Sequence, residues 1–234
     1  METETVETPA NPESIISLND VDIYQKNHLV LQNVNLNIYT GEFLFLIGKN
    51  GSGKSSFLKT LYSELKLDKG EAVVSEFSLK NLKRKKVPFL RRKIGIVFQD
   101  FQLLTDRTIF ENLYFVLRAT GWKDKMALEQ RIDQVLKHVG LSDKKDKMPH
   151  ELSGGEQQKV AIARSLLNDP EIILADEPTG NLDPDTSEEI MNILHFLSKS
   201  GKAVIMASHD YDLMKKYASR ILKFENGSIT EVSI

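Results

Sequence analysis

The clearest chemical pattern in the sequence is a glycine-rich stretch that ends in lysine and serine. Residues 48–55 match the phosphate-binding pattern G-x-x-x-x-G-K-[ST]. Its glycines let backbone N–H groups turn toward a phosphate, and the helix that follows directs its positive end to the same place. In this pattern Lys54 reaches the β- and γ-phosphates, and the Ser55 hydroxyl coordinates Mg²⁺. A glycine-rich turn without a ligand is disfavoured, because the motif lies between a buried strand and a helix. The predicted nucleotide-binding residues are Gly48, Asn50, Gly51, Ser52, Gly53, Lys54, Ser55 and Ser56.

Two carboxylates follow a second apolar run. Asp176 and Glu177 come directly after residues 172–175, Ile-Ile-Leu-Ala. At the carboxyl end of a strand both side chains can face a nucleotide crevice. Asp176 suits an Mg²⁺ ligand, direct or through water, and Glu177 suits a general base for an attacking water. The alternative, two solvated carboxylates, is disfavoured directly after a buried run.

A third stretch, Leu-Ser-Gly-Gly-Glu-Gln-Gln at residues 152–158, predicts a second anion site. Ser153 and Glu156 have the spacing of a capping box, so the stretch also fits an ordinary helix start. Two glycines there cost about 1 kcal/mol each against alanine, but they expose N–H groups at the positive end of a helix. Because the chain has one phosphate loop, the simplest explanation is an isologous dimer. In that dimer each 153–155 segment contacts the γ-phosphate bound by the other subunit.

The elements that must position these residues follow from the hydrophobic pattern. Residues 14–39 alternate apolar and polar side chains, as half-buried antiparallel strands do. Solid apolar runs at 43–47, 172–175 and 203–207 predict strands buried on both faces, with helical patterns between them. Such alternation indicates an α/β fold with a mainly parallel sheet. A hairpin is predicted to close the chain at 220–225 and 228–234, across Asn226-Gly227.

Residues 100–150 show no buried-strand pattern and predict an all-helical insert. Thr108 and Glu111 form a capping box that opens one helix, and Gly140 ends a second. A further helix is predicted to begin at residues 185–188. The predicted organisation is a tail at 1–13 and one nucleotide-binding domain at 14–234, with an α/β core (14–99 and 151–234) and a helical subdomain (100–150).

Composition excludes several classes of function. The chain has 41% hydrophobic residues, 27% charged residues and no cysteine, so it needs no disulfides and cannot use thiol chemistry. Its apolar runs are too short to span a bilayer, and its acidic start is no signal peptide. A net charge of −2 argues against nucleic acid as the main partner. Any membrane contact is therefore expected to run through a partner.

Charge is nevertheless distributed unevenly along the chain. Residues 1–13 hold four glutamates and no lysine or arginine. Residues 80–93 hold eight lysines and arginines and no acidic residue. A solvated face and a surface for a partner or for lipid are both open interpretations of this basic stretch.

Taken together, these motifs resemble the ATP-binding subunits of ABC transporters, over residues 14–234. The resemblance implies a P-loop NTPase core with a mixed sheet, an N-terminal antiparallel β-subdomain and an inserted helical subdomain. It implies ATP and Mg²⁺ as cofactors, a homodimer formed on ATP binding, and a permease-like integral membrane partner at the inner face of the cell membrane. By the same resemblance Tyr24 stacks on adenine, Gln99 contacts Mg²⁺ or water and senses the membrane partner, and His209 contacts the γ-phosphate. Ser153, Gly154 and Gly155 act on the other subunit's nucleotide, and Asp183 lies in a loop that crosses the dimer.

A narrower resemblance lies at residues 86–108, which are similar to the cell-division members of this family. It implies a membrane partner that activates cell-wall hydrolases, with no solute transported. The predicted alternative is an ATPase for lipoprotein release or macrolide efflux, since residues 175–183 are shared with those relatives. Two rival functions carry less weight. ATPases of this type that act on DNA or ribosomes usually carry two heads or a long coiled coil, and a non-catalytic scaffold would not need Glu177 and His209.

Overall fold

The computed structural model describes residues 14–217 and 219–233. The predicted tail at 1–13 lies outside the described residues. The strands in the described part are β1 (Ser14–Gln25), β2 (His28–Tyr39), β3 (Phe43–Ile47), β4 (Lys69–Val74), β5 (Phe77–Ser78), β6 (Ile94–Val97), β7 (Ile172–Asp176), β8 (Ala203–Ala207), β9 (Arg220–Glu225) and β10 (Ser228–Val232). The α-helices there are α1 (Lys54–Leu61), α2 (Val87–Arg92), α3 (Ile109–Ala119), α4 (Lys125–His138), α5 (Gly154–Ser165), α6 (Pro184–Lys199) and α7 (Tyr211–Lys216).

The strands form two sheets. One is antiparallel and has the order β2-β1-β4-β5. The other has the order β10-β9-β3-β8-β7-β6, with parallel pairing throughout except for the β9–β10 hairpin. This arrangement confirms the predicted α/β class, the mixed sheet and the N-terminal antiparallel sheet. Because β3, β8 and β7 are neighbours and parallel, their carboxyl ends lie side by side at one edge of the sheet.

Strand β3 shows why a solid apolar run marks the centre of the fold. All five of its residues are buried. Phe43, Phe45 and Ile47 face a core shared with α3 to α6, while Leu44 and Leu46 face a second core shared with β1 and α1. Successive side chains of a strand point to opposite faces, so covering both faces demands apolar residues at every position.

The helical stretch contains α3 and α4. The Thr108 hydroxyl accepts from Glu111 N at 3.2 Å, and the Glu111 carboxylate accepts from Thr108 N at 2.9 Å, which is the predicted capping box. Leu113 and Ile132 are fully buried in the same core cluster as α5 and α6, not in a core of their own. The limits of the subdomain, 100 and 150, stay predictions.

Two boundaries differ from expectation. Helix α6 begins at Pro184 rather than at 185, because the carboxylate of Asp183 caps it by accepting from Thr186 N at 3.0 Å. Proline at the first helical position has a fixed φ that suits the helix and no N–H to satisfy. Strand β10 ends at Val232, and Ile234 lies outside the described residues.

Candidate active site

The phosphate loop connects the end of β3 to the start of α1. Gly48 has a φ of +148°, and a Cβ there would lie 2.5 Å from the Phe224 carbonyl oxygen and 2.7 Å from Ser52 Oγ. Gly53, with a φ of +110°, directly precedes α1. No residue with a side chain fits at Gly48 without displacing backbone, so the close packing of the loop against β9 requires this glycine. The loop therefore delivers Lys54 and Ser55 at the first turn of the helix.

Lys54 is held inside the loop, where its side chain is only 6% exposed. Its ammonium donates to the Gly48 carbonyl oxygen at 2.6 Å, and Nζ lies 3.4 Å from His209 Nε2. Burial lowers the pKa of Lys54, and the charges of Glu177 and Asp176 oppose this shift. The buried ammonium attracts anions such as phosphate oxygens, whereas the two nearby carboxylates suit a cation bound between them and the phosphates.

The predicted metal ligands Ser55 and Asp176 lie next to each other. Ser55 Oγ donates to Asp176 Oδ2 at 3.0 Å, across the gap between α1 and the end of β7. Gln99 follows β6, and its amide lies close to the loop after Glu177, since a Cβ on Gly180 would be 3.4 Å from Gln99 Nε2. Two hard oxygen donors beside a phosphate loop fit Mg²⁺, which takes few protein ligands and completes its shell with phosphate and water.

Glu177 and His209 form a second pair at the same edge of the sheet. Glu177 Oε1 lies 3.0 Å from His209 Nε2. Glu177 adopts a φ of +50°, and its N–H donates to the Ala207 carbonyl oxygen at 3.0 Å, so the residue turns away from β7 toward β8. Non-glycine residues rarely adopt this conformation, and such positions are frequent at functional sites. The turn brings the carboxylate and the imidazole together.

A cleft of about 950 Å³ opens over the phosphate loop. The predicted residues that line it are those of the loop from Asn50 to Ser56, together with Gln99 and Glu177. The side of the cleft beyond the loop is formed by residues that the sequence analysis missed, namely Gln25, His28, Leu29, Val30, Gln32, Asn226 and Gly227. Tyr24 ends up half-buried near the end of β1, and the side chains of this region that line the cleft are Gln25 and His28. The stacking role expected of Tyr24 stays a prediction.

The missed residues had one signal in the sequence. The Asn226-Gly227 turn was predicted, but its place beside the phosphate loop was not. A backbone hydrogen bond holds it there, in which Gln32 N of β2 donates to the Gly227 carbonyl oxygen at 2.8 Å. This contact joins residues nearly 200 positions apart in the sequence, so no local sequence pattern predicts it.

The signature segment lies at the start of α5. The Ser153 hydroxyl accepts from Glu156 N at 3.2 Å, and the Glu156 carboxylate accepts from Ser153 N at 2.9 Å. Among the described residues that line the 950 Å³ cleft, none comes from positions 153–155. A Cβ on Gly155 would lie 2.2 Å from Thr186 Cγ2, whereas one on Gly154 would meet nothing closer than Leu182 at 3.6 Å. Packing within the protomer thus explains Gly155 and leaves Gly154 unexplained.

Asp183 has a structural task of its own. Its carboxylate caps α6, and the hydrogen bonds from Thr186 lower its pKa. The carboxylate is thereby fixed as an anion at the end of the 178–183 loop. A contact across a dimer stays a prediction.

Two further residues of α5 hold the loop that contains Gln99. Gln158 is fully buried, with Nε2 3.5 Å from the Phe98 carbonyl oxygen. Arg164 donates to the Phe101 carbonyl oxygen at 2.7 Å and also to that of Gln102. Burial lowers the pKa of Arg164, opposed by the charge of Asp100. The sequence analysis missed both residues, since a polar side chain on a helix does not reveal which distant carbonyl it reaches.

The fold and this site define a class of protein. Residues 31–180, more than half of the chain, match the ABC transporter family. The chain belongs to this family and is an ATP-binding protein and ATP hydrolase of the ABC type, as the resemblance implied.

Individual relatives narrow the comparison. The chain is 42% identical to the cell division ATP-binding protein FtsE of Streptococcus pneumoniae over 217 residues, which cover 92% of this chain and 94% of the relative. It is 45% identical to FtsE of Mycobacterium tuberculosis over 199 residues, 85% of this chain and 86% of the relative. Among solved structures, the dimer of the ATP-binding cassette MJ0796 with ADP and Pi has a TM-score of 0.81 at 36% identity, covering 93% of this chain and 98% of that one. The chain is thus similar to FtsE proteins.

Within residues 14–217 and 219–233, no helix combines the length and the apolar character that a membrane span requires.

Proposed function

We propose that the chain is the Mg²⁺-dependent ATPase subunit of an FtsE-like complex, in which ATP-driven dimerisation acts on a membrane partner of the FtsX type during cell division. In this proposal the partner controls cell-wall hydrolysis and no solute is pumped. The observation that carries the catalytic part is the convergence of two pairs, Ser55 with Asp176 and Glu177 with His209, on either side of Lys54. The alternative, an ATPase of lipoprotein release or macrolide efflux, uses the same pairs and differs only in the partner.

The pairs support a division of labour in ATP hydrolysis. Lys54 neutralises the β- and γ-phosphate oxygens, and Ser55 with Asp176 and Gln99 holds Mg²⁺, which neutralises further charge on the phosphates when bound. Glu177 accepts a proton from the attacking water, and His209, 3.0 Å away, orients that carboxylate and contacts the γ-phosphate. Phosphoryl transfer to water depends on such positioning and charge neutralisation more than on covalent chemistry.

A second protomer completes the site. Gly154 has room for a Cβ, whose nearest neighbour would be Leu182 at an ordinary contact distance of 3.6 Å, and it lies at the N-terminal end of a helix of twelve residues. Backbone N–H groups there suit the γ-phosphate of a nucleotide bound by another copy of the chain. The solved dimer of MJ0796, similar over 93% of this chain, supports this arrangement.

The partner is proposed to dock beside Gln99. Leu104 is 38% exposed and Phe101 is half-buried, while Leu103 packs against the core. A groove of about 360 Å³ is lined by Gln102 of this loop, by Tyr62 and Phe98, and by the proposed Mg²⁺ ligands Ser55 and Asp176. A groove that lies beside both the proposed metal ligands and a loop with exposed apolar side chains suits a helix of a partner.

The catalytic assignment is tested by Glu177→Gln. The isosteric amide cannot accept the proton, so we expect the ATPase rate to fall by about 10²–10⁴-fold. ATP binding should persist, and the protein with ATP and Mg²⁺ should elute as a stable dimer in size-exclusion chromatography with light scattering. Glu129→Gln, a change at a half-exposed carboxylate on α4 away from the cleft, is the matched control and should behave like the parent. Turnover of Glu177→Gln at the parent rate would show that the base is another group.

The partner assignment is tested by co-purification with a co-expressed FtsX-type protein. Leu104→Asp and Phe101→Asp should lose the partner, whereas Phe196→Asp, at a 68% exposed position on α6, should retain it. Retention by all three variants would refute the docking surface but leave the ATPase proposal intact.

A further inference from the structure

Residues 80–93, here termed the basic segment, carry the strongest local charge in the chain. They include eight lysines and arginines and no aspartate or glutamate. The segment connects β5 to β6 and contains a 3₁₀ turn at Arg84–Lys86 followed by α2. Nothing in the catalytic site uses it.

The charge of the basic segment is largely uncompensated. Lys93 pairs with Glu171 at 2.5 Å and with Glu76 at 3.6 Å. In the described part of the chain, the other seven cations have no carboxylate oxygen within 4.0 Å. The side chains that are exposed among them are Lys80, Lys83, Arg84, Lys85, Lys86 and Arg91. An uncompensated positive surface on a chain with a net charge of −2 indicates an anionic ligand rather than a solubilising face.

The segment also presents an aromatic ring among its cations. Phe89 is 51% exposed, and its ring centroid lies 5.8 Å from Lys86 Nζ and 5.1 Å from Arg92 Cζ. Leu79 and Leu90 are buried and fix the two sides of the segment to the core shared with β1 and α1. The cations and Phe89 are thus displayed on an anchored surface, not on a loose loop.

The position of the segment points to a membrane. Arg91 Nε donates to the Tyr62 carbonyl oxygen at 3.1 Å, and Tyr62 lines the groove beside Gln102. This step rests on the proposed function, because that groove is where the membrane partner is expected to dock. In that arrangement, a basic surface beside the partner would be within reach of the anionic headgroups of the inner leaflet.

We propose that the basic segment binds anionic phospholipid headgroups directly, with Phe89 inserted at the interfacial level. Clustered lysines and arginines near a membrane gain free energy from anionic lipids, and an exposed aromatic adds burial in the headgroup region. An acidic protein would match the charge but leaves Phe89 without a task. The four glutamates of residues 1–13 are the competing occupant within this chain, and the test includes them.

The test is co-sedimentation of the purified full-length chain with vesicles of phosphatidylcholine, with and without phosphatidylglycerol. No partner is present, so failure of this inference is separate from failure of the docking surface for the FtsX-type protein. The variant replaces four exposed cations, with the changes Lys83→Gln, Arg84→Gln, Lys85→Gln and Lys86→Gln. The matched control alters net charge equally on other exposed surfaces, with Lys123→Gln, Lys137→Gln, Lys199→Gln and Lys215→Gln. Neither set touches a proposed catalytic residue, so basal ATPase activity should be unchanged in both.

We expect the parent to bind vesicles that contain phosphatidylglycerol, and to bind pure phosphatidylcholine poorly. The quadruple basic-segment variant should bind about 600-fold more weakly, because each of the four cations near an anionic surface contributes roughly fivefold. The quadruple control should bind the vesicles as tightly as the parent, and Phe89→Ser should bind them more weakly than the parent. Deletion of residues 2–13 should leave vesicle binding unchanged or make it stronger. Equal loss in both quadruple variants, or no binding by the parent in low salt, would overturn the proposal. Loss of binding on deletion of residues 2–13 would also overturn it.

Discussion

Gly154 and Gly155 are neighbours, but we expect Gly155 to be needed for helix packing and Gly154 for the contact with the other protomer's nucleotide. An alanine at 155 would place its Cβ 2.2 Å from Thr186 Cγ2, whereas ordinary contacts begin near 3.4 Å. The clash lies between helices α5 and α6, so either the helices must separate or the Thr186 side chain must rotate. An alanine at 154 would meet nothing closer than 3.6 Å.

The expected magnitudes follow from this difference. Overpacking of a tight helix contact costs about 2 kcal/mol, because the helices must separate or Thr186 must leave its preferred rotamer. Since a change of 1 kcal/mol shifts the melting temperature of a chain of this size by about 2–4 °C, Gly155→Ala should lower it by about 4–8 °C. Gly154→Ala should leave it unchanged or raise it slightly, because alanine favours helix. Gly154→Ala should nevertheless lower the ATPase rate. It leaves the fold intact, but its methyl group crowds the surface that is proposed to meet the γ-phosphate bound by the other protomer.

The melting temperature and the steady-state rate of ATP hydrolysis are measured for each variant. The double variant Gly155→Ala/Thr186→Ser tests whether the lost stability can be restored. Serine removes the clashing methyl group and keeps the hydroxyl, so the double variant should recover most of the lost stability. Parental stability of Gly155→Ala, or a failure of Thr186→Ser to rescue it, would refute the packing argument. Full ATPase activity of a stable Gly154→Ala protein would contradict the role in the second protomer's site.

Two further changes probe groups that the structure fixes by hydrogen bonds. Asp22 is 3% exposed and accepts from Asn33 N and Lys69 Nζ at 2.8 Å each, which lowers its pKa from 3.8. Because a carboxylate with a lowered pKa stabilises the fold above its unfolded pKa, Asp22→Asn should cost about 1 kcal/mol in urea unfolding at neutral pH. The difference should begin to shrink near pH 3.8 and should be lost as the pH falls through the lower pKa of Asp22 in the folded protein. Arg164→Ala should cost about 2 kcal/mol, since two backbone carbonyls lose their donor. The ATPase rate of Arg164→Ala should be lower than that of Arg164→Lys. Amide hydrogen exchange at residues 100–103 should become faster in Arg164→Ala, and unchanged exchange would contradict the role of Arg164.

The features that the sequence predicted are those written in local patterns. The capping boxes at Thr108 and Ser153 need only four consecutive residues, and the structure contains both. The buried strand at 43–47 needs only an unbroken apolar run. The order of motifs along parallel strands then sufficed to bring Asp176, Glu177 and His209 to one edge of the sheet.

The features that the sequence did not predict depend on contacts between distant segments. Gly155 was interpreted as exposing an N–H group, yet its close approach to Thr186 becomes visible only when α5 and α6 are placed together. Near the end of β1 the cleft is lined by Gln25 and His28, which the sequence analysis did not name. The alternation of apolar and polar residues along a strand predicts which face of the sheet each side chain is on. It does not predict which residues of the turn that follows will line the cleft.

The described protomer also explains why the signature segment and the nucleotide sensor should respond together. Helix α5 begins with the signature glycines, and the same helix holds the Gln99 loop through Gln158 at Phe98 and through Arg164 at Phe101 and Gln102. Phe101 and Gln102 have φ values of +55° and +50°, so the loop lies in a conformation that the arginine must stabilise. Because these bonds join the loop beside Gln99 to α5, we expect a displacement of the loop to be passed to the helix whose N-terminal end is proposed to close on the second protomer's phosphate.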